Sequence, residues 1–500
     1  MKRIFKVIMS FMLAAVLLVA CGEDEQPNNL VSISGIPATA VIESGGMVGP
    51  VTASISAMDG LVSLVILKDG TAFQTINFNG ETSGNYVFSY TALAGDSNKN
   101  LVFQFTATDR NGDTQSVTHV LTVGEAATII RIAGNIDDDA TWKTGNVYIL
   151  GGRIVVTAGT TLNIEPGVIV KGEAGSGPNA TALIIARGGK INAVGNATQP
   201  IIFTSVADEI EPGIIASPNL DPDLDGLWGG LIVLGRAPSS FAGNVTELQI
   251  EGIPPSDTNG LHGGNLPGDN SGVLKFISIR HGGANIGEGN EINGLTLGSV
   301  GSTTVIENIE VIGNQDDGIE WFGGTVNVKN AIVWNAGDDG MDTDQSWSGT
   351  LDNFIVLCGS NTDHALEIDG PEGSFLGAHT LTNGTVRGNP ASEFGDFRDG
   401  ARGTFQKIYF FGFSSPALTE GRGDLSISGA ASLANFENNI LNFNNLQTTL
   451  VQGVALTSVF RNGTHVHASA VVLGENTVGA DKTAFAGWSW AAVAGELDDL

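Results

Sequence analysis

Cationic side chains are scarce in this chain: 23 Lys and Arg stand against 53 Asp and Glu in 500 residues, a formal net charge of −30. That imbalance excludes nucleic acid as a partner and disfavours an anionic lipid surface, because self-repulsion and phosphate repulsion act together. Solubility and cation uptake are favoured instead. Cysteine is nearly absent, with only Cys21 and Cys358, so no disulfide framework can be written. Aromatics make up 7% of the chain, and the Leu-Glu-Ala-Lys composition of helical proteins is missing. In its place 69 glycines punctuate the sequence, which therefore reads as all-β and turn-rich. A long apolar run is also lacking, since Val7 to Ala20 is interrupted by Ser10 and falls short of the roughly 20 residues of a bilayer span.

That run follows Met1-Lys2-Arg3 and ends at Cys21, the order of charged, apolar and small-residue regions in a secretory signal peptide over residues 1–20. Leu18-Val19-Ala20-Cys21 resembles the lipobox of bacterial lipoproteins, in which the cysteine sulfur takes a diacylglycerol and becomes the mature N-terminus. The resemblance implies lipidation at Cys21 and a partner in outer-membrane lipid. It leaves Cys358 as a small hydrophobe within an apolar strand. Residues 21–29 then form an acidic tether, and Glu23-Asp24-Glu25 is similar to the surface-export signal of Bacteroidota lipoproteins. The implied location is the outer membrane, lipid-anchored and facing the medium; the alternative is a plain linker on the periplasmic side.

Two domains follow. Within residues 30–124, Leu101, Phe103, Phe105 and Ala107 share one strand face, as do Val117, Leu121 and Val123, and Asn111-Gly112 between them is a strong hairpin signal. The segment resembles an immunoglobulin- or cadherin-like β-sandwich, with Asp109 and Asp113 explained by turn chemistry. From 128 to 500 the texture changes to short apolar runs such as Ile154-Val155-Val156, Leu162-Asn163-Ile164 and Leu183-Ile184-Ile185, separated by Gly, Pro and Asn. These are too short for helices and suit a solenoid of three short strands per coil. Gly159-Thr160-Thr161-Leu162-Asn163-Ile164-Glu165-Pro166-Gly167 and Ala186-Arg187-Gly188-Gly189-Lys190-Ile191 resemble the opening coils of bacterial surface β-helix proteins. A right-handed parallel β-helix is implied over 128–500, with the aromatic run Phe485 to Trp490 expected to plug its open end.

An internal repeat fixes the coil length. Asn308-Ile309-Glu310-Val311 through Asp316-Asp317-Gly318 matches Asn330-Ala331-Ile332-Val333 through Asp338-Asp339-Gly340 at an offset of 22, and a third copy runs from Asn353 to Glu367 with two extra residues in its bend. Stacked about 4.8 Å apart, the copies place Asp316 over Asp338 and Asp363, Asp317 over Asp339 and His364, and Glu320 over Asp342 and Glu367. Asp344 and Asp369 extend the ladder. Two carboxylates at that spacing repel by roughly 3 kcal/mol at an effective dielectric near 20, so something must relieve them. Calcium fits, because it accepts many oxygens in irregular geometry; Asx-turn hydrogen bonds within each bend are the equal alternative. Asp221-Pro222-Asp223-Leu224-Asp225-Gly226 is half of a calcium loop, but position twelve is Ile232, so a surface turn is expected there.

Asn361-Thr362-Asp363 and Gly337-Asp338-Asp339 are similar to the acid motifs of polygalacturonases, but they occur in the opposite order and lack that family's later motifs. Arg280, Arg398 and Arg402 offer no base whose position beside a carboxylate can be read from spacing. Trp334 reads as core. Trp321 and Trp347, near the bends, are the candidates for a sugar-stacking platform, with packing beneath the loops as the alternative. Arg422-Gly423-Asp424 is a chance tripeptide. The residues thus point to a surface-displayed binding or scaffold lipoprotein that is ordered by calcium, with a polysaccharide or a surface protein as partner. The rival is a polysaccharide lyase or glycoside hydrolase acting at the ladder.

Overall fold

The computed structural model describes residues 31–42, 45–124, 128–285, 292–416 and 422–500. The expected signal peptide, Cys21 and the acidic tether lie outside them. The N-terminal unit is a β-sandwich. Its three-stranded sheet runs Ser32–Ser34, Met47–Ser56, Ser83–Thr91, and its five-stranded sheet runs Thr39–Ile42, Thr114–Val123, Asn100–Asp109, Leu61–Lys68, Thr71–Asn77. Phe88 of the first sheet meets Phe103 and Phe105 of the second edge-on at 5.0 and 5.1 Å, as alternation of apolar residues along both strands requires. At the Asn111-Gly112 hairpin, Asp109 Oδ1 accepts the N–H groups of Asn111 and Asp113 at 2.9 and 2.8 Å, so turn formation uses that carboxylate.

The larger unit is a parallel β-helix. One face is a nine-stranded sheet that includes Leu231–Leu234, Leu295–Gly298, Ile319–Phe322, Met341–Asp344, Leu366–Ile368, Gly395–Phe397 and Leu425–Ile427. Most of the other strands join a longer sheet that bends once in every coil, and Leu248–Gln249 pairs with Leu261–His262 in a small antiparallel ribbon. From Gly272 to Phe411 each bend is a single residue at φ between +54° and +64°: Phe276, Asn308, Asn330, Asn353, Asn383 and Lys407. Asn tolerates the left-handed region better than other residues with a side chain. Its amide also joins the coils, with Asn330 donating to Asn308 at 2.6 Å and Asn353 donating to Asn330 at 2.8 Å. The repeat appears directly in the register, with Ile309 beside Ala331 and Ile319 beside Met341. The third copy is displaced to Phe354 and Leu366 by its longer bend.

Inside the coils, Leu295, Ile319, Met341 and Leu366 stack at one position, and Trp321, Trp347 and His379 stack at 4.7 and 4.9 Å. Two outer surfaces are covered. A segment inserted after Leu231–Leu234 lays Ile250 and Ile253 against Ile184, Ile232, Leu234 and Phe322. The C-terminal segment corrects the expected end plug: Phe485, Trp488 and Trp490 pack sideways on Ile312, Ile332, Trp334, Ile355 and Leu357 of the middle coils. Those strands expose an apolar outer column that needs a cover more than the sheet ends do.

Candidate functional site

The acidic ladder forms on the outer face of the nine-stranded sheet and in the bends before it. Alternation along Ile319–Phe322, Met341–Asp344 and Leu366–Ile368 turns Ile319, Met341 and Leu366 inward. Glu320, Asp342, Glu367 and Asp396 then occupy one outward column. In the bends, Asp317 Oδ1 accepts the N–H of Asp339 at 2.9 Å, and Asp339 Oδ1 accepts the N–H of His364 at 2.7 Å. Each carboxylate therefore ties the bend of the next coil, not its own.

The ladder divides electrostatically into two parts. Further along, cations are built in. Arg398 reaches Glu367 at 2.8 Å and Asp369 at 2.7 Å, Arg422 pairs with Asp363 and Glu393, and Arg461 holds Asp424 at 2.6 Å. His364 lies 2.9 Å from Asp339, 3.6 Å from Glu367 and 3.9 Å from Glu393. Burial lowers its basicity, but the Asp339 hydrogen bond and the surrounding carboxylates outweigh that and carry it up to about 9. His364 is therefore a cation at neutral pH. Glu367 is pushed up to about 8 by burial and then by Asp339, against the pull of Arg398.

The other part has no such partner. Asp317, Glu320 and Asp342 are 7%, 6% and 8% exposed, and each offers an oxygen within 4.8 Å of the others. None of the ion pairs among the described residues includes them. Burial first, and then the neighbouring carboxylates, push all three well above the ordinary carboxylate range. The Asn293 amide donates to Glu320, while Asn293 Oδ1 and Asp342 Oδ1 are buried without a hydrogen-bond partner. A buried acceptor left unpaired costs about 1–3 kcal/mol. The three carboxylates form a hard, all-oxygen donor set, with the Asn293 amide beside it. Asp316 and Asp338 border it from the bends, half-buried and exposed. Asp344 accepts the N–H of Gln345 at 2.6 Å, and burial and Glu372 push it up to about 8.

The family model of the pectate-lyase-like β-helix domain matches residues 134–492. The chain belongs to that family. No curated protein matches it. Among solved structures, it is similar to the fibronectin(III)-like modules of Clostridium thermocellum CbhA, with 15% identity and a TM-score of 0.15 over 19% of this chain and 99% of that one.

Within this pectate-lyase-like domain, two ligand-binding expectations are corrected. Trp321 and Trp347 are fully buried and stacked on each other inside the coils, so neither ring can face a sugar. For Trp321 the odd-even position decides this, because it alternates with the outward Glu320 and belongs to the inward set, while Trp347, past the end of Met341–Asp344, is held inside by its indole N–H donating to the Val326 carbonyl at 2.9 Å. Sequence reasoning left out Glu393 and Asn293, and it named Arg398 and His364 without placing either as a cation on the ladder. Arg398 shares a register with the ladder only because a long excursion over residues 371–378 returns to the same sheet. Glu393 precedes its strand as His364 does, in a fourth copy hidden by that excursion. Asn293 precedes Leu295 as Asp317 precedes Ile319, a signal that extending the repeat backwards would have found. His364 stands at a ladder position and serves as a resident cation.

Proposed function

We propose that this chain is a surface-displayed, Cys21-lipidated β-helix of the outer membrane. In this reading it binds a divalent cation, calcium before others, through Asp317, Glu320, Asp342 and the Asn293 carbonyl oxygen, and it offers the adjoining face to a polysaccharide. The observation that carries the cation is the orphaned Asp342 Oδ1 in a nest of buried carboxylates that lacks the arginines found one and two coils further on. The cation-binding set is thereby narrower than the whole ladder: Asp363, Glu367 and Asp369 are held by arginines and belong to the ligand face. Calcium titration of the chain from Gly22 onward should give one site of micromolar to millimolar affinity, lost in Asp342→Asn and weakened in Asn293→Ala. Retention of the site in Asp342→Asn would refute the assignment. Glycan arrays with and without calcium test the polysaccharide. Labelling with a palmitate analogue, abolished by Cys21→Ala, tests the anchor.

A second reading, a lyase or glycoside hydrolase, is favoured by one feature. Glu367, at about 8, is protonated at neutral pH as a general acid must be. Against it, Arg398, the basic group nearest Glu367 and Asp369, has its basicity raised by those carboxylates despite its burial, the wrong direction for a proton-abstracting base. Turnover of any polysaccharide that disappears in Glu367→Gln would make this reading the correct one.

A further inference from the structure

A second concavity lies where the strands Val328–Ala336, Thr350–Leu357 and His379–Arg387 run into their bends. The turn carrying Asp223 and Asp225 forms one wall, Glu496 of the C-terminal segment forms another, and the open cleft has a volume of about 280 Å³. None of the residues of the acid stack lines it.

We propose that this pocket binds a single pyranose ring that carries no negative charge. Charge excludes the alternatives first. Arg387 is the only cation in the lining, and it is engaged by Glu496 and, at 3.3 Å, by Asp499. Asp223 and Asp225 belong to none of the ion pairs among the described residues. An anion entering the pocket therefore meets two carboxylates without a compensating cation and is repelled. Uronates, sulfated sugars and phosphates are disfavoured on that ground.

Hydrogen-bonding capacity then selects among neutral ligands. The side-chain amides of Asn335 and Asn361 make no hydrogen bond within the described residues. Asn389 uses its Oδ1 to accept the N–H of Ala391 at 3.1 Å, which leaves its Nδ2 donors to the pocket. Amides that both donate and accept, set opposite carboxylates that only accept, match a ring of hydroxyl groups in which each oxygen does both. A purely apolar ligand would strand all of these groups without partners, at the cost that makes such sites selective. Trp334 supplies the single aromatic in the wall and is held against Trp490 at 6.0 Å. The volume is at the lower limit of small-molecule pockets, which suits one ring and not a chain of them.

The site is separate from the proposed cation nest, and the experiment keeps the two apart. The chain from Gly22 onward is titrated, in chelator and then in calcium, with methyl glucoside, methyl galactoside, methyl mannoside, glucosamine and glucuronate. Calorimetry and ligand-detected NMR follow the binding. At least one uncharged or amino pyranose should bind saturably in the millimolar range without calcium, and glucuronate should not. Asp225→Ala and Asn361→Ala should each weaken that binding about tenfold, the worth of one hydrogen bond to a charged or polar partner, and Asp342→Asn should leave it unchanged. Asn361 is exposed, so its variant decides the matter even if Asp225→Ala fails to fold. Absence of binding by every uncharged and amino sugar at tens of millimolar would overturn the proposal. So would equal binding of glucuronate, or full affinity in both variants. Loss of calcium binding at the nest with sugar binding intact would count against the cation reading alone.

Discussion

The same successive coils carry two unlike outer faces. On the longer sheet, Glu310, Ile332 and Ile355 form one column and Ile312, Trp334 and Leu357 the next; on the nine-stranded sheet, Glu320, Asp342 and Glu367 form theirs. Apart from Glu310, both faces stack like on like, because a β-helix repeats what its repeat unit contains. The consequences are opposite. An apolar column can be buried by more of the chain, and residues 480–500 do so with Phe485, Trp488 and Trp490. Even the acid in the first of these columns is satisfied: Glu310 accepts the Ser278 hydroxyl at 2.6 Å and the N–H groups of Trp490 and Ala491 at 3.0 and 2.9 Å. Arg280 lies 4.0 Å away and faces the Trp490 ring at 4.9 Å. Burying a carboxylate column is costly instead of favourable, since desolvation of unpaired charge costs more than the burial returns. Later coils meet that difficulty with arginines, and the Asp317–Glu320–Asp342 nest has none.

The largest predicted effect breaks the apolar face. Trp488 is fully buried, and its replacement in Trp488→Ala should destabilise the domain by about 3–5 kcal/mol, read as a drop in melting temperature and in denaturant midpoint. An unchanged melting curve would mean that the C-terminal segment is not a structural cover. The next effect concerns the acidic face. Calcium at a hundred times its dissociation constant should stabilise the wild type by about 2.7 kcal/mol, and chelator should reverse the gain. Asp342→Asn should lose most of this response and should melt higher than wild type in chelator, because the repulsion leaves with the charge. A variant that melts lower in chelator would identify Asp342 as a structural acceptor.

A smaller effect follows from pH. Carboxyls whose folded values are raised, to about 8 for Asp344 and Glu367 and to about 6 for Asp424, hold protons in the native state that the unfolded chain has already released near pH 4. Stability in chelator should therefore fall as pH rises from about 4 towards 8. His364, raised to about 9, acts in the same sense, since its contribution is complete below about 6.5 and is lost on passing 9. Melting measured across this range in chelator should decline, and calcium should remove only the share of the decline that Asp317, Glu320 and Asp342 add, since their carboxyls are raised as well and the cation replaces their protons alone. A profile that rises with pH in chelator would show that these groups are ionised and paired in the folded state.

Much of this contrast was legible in the sequence. The offset of 22 places Asp342 over Glu320 without any coordinates, because one coil equals one repeat. The sandwich was legible for a similar reason: alternation about a turn leaves few options for Leu101 to Val123. What escaped was everything decided by segments that leave the repeat and return. The C-terminal aromatics could be recognised as a cover, but the surface they cover is set by where residues 480–500 fold back, which no local pattern encodes. Arg398 returns to the ladder after an excursion of unpredictable path. Trp321 and Trp347 show a different limit. Nearness to acids along the chain suggested a binding surface, whereas the period of two turns Trp321 inward as surely as it turns Glu320 outward.

The smallest predicted effect sharpens the comparison most. Trp488→Ala acts on the outer side of the longer sheet and Asp342→Asn on the outer side of the nine-stranded sheet, and the packed coil interior, including Ile319, Val333 and Met341, belongs to one continuous core between them. If the two faces answer separate physical problems, their variants share no partner and their effects should add within about 0.3–0.5 kcal/mol. A double-mutant cycle in chelator measures this directly, and a second cycle in calcium asks whether filling the nest changes the result. A coupling above about 1 kcal/mol would mean that the coils transmit strain sideways, so that stripping the apolar cover distorts the carboxylate column. In that case calcium affinity should also fall in Trp488→Ala, and the C-terminal segment would have to be counted as part of the cation site. Additivity in both conditions would instead establish that a β-helix can carry a sealed face and a charged one on the same coils without either constraining the other.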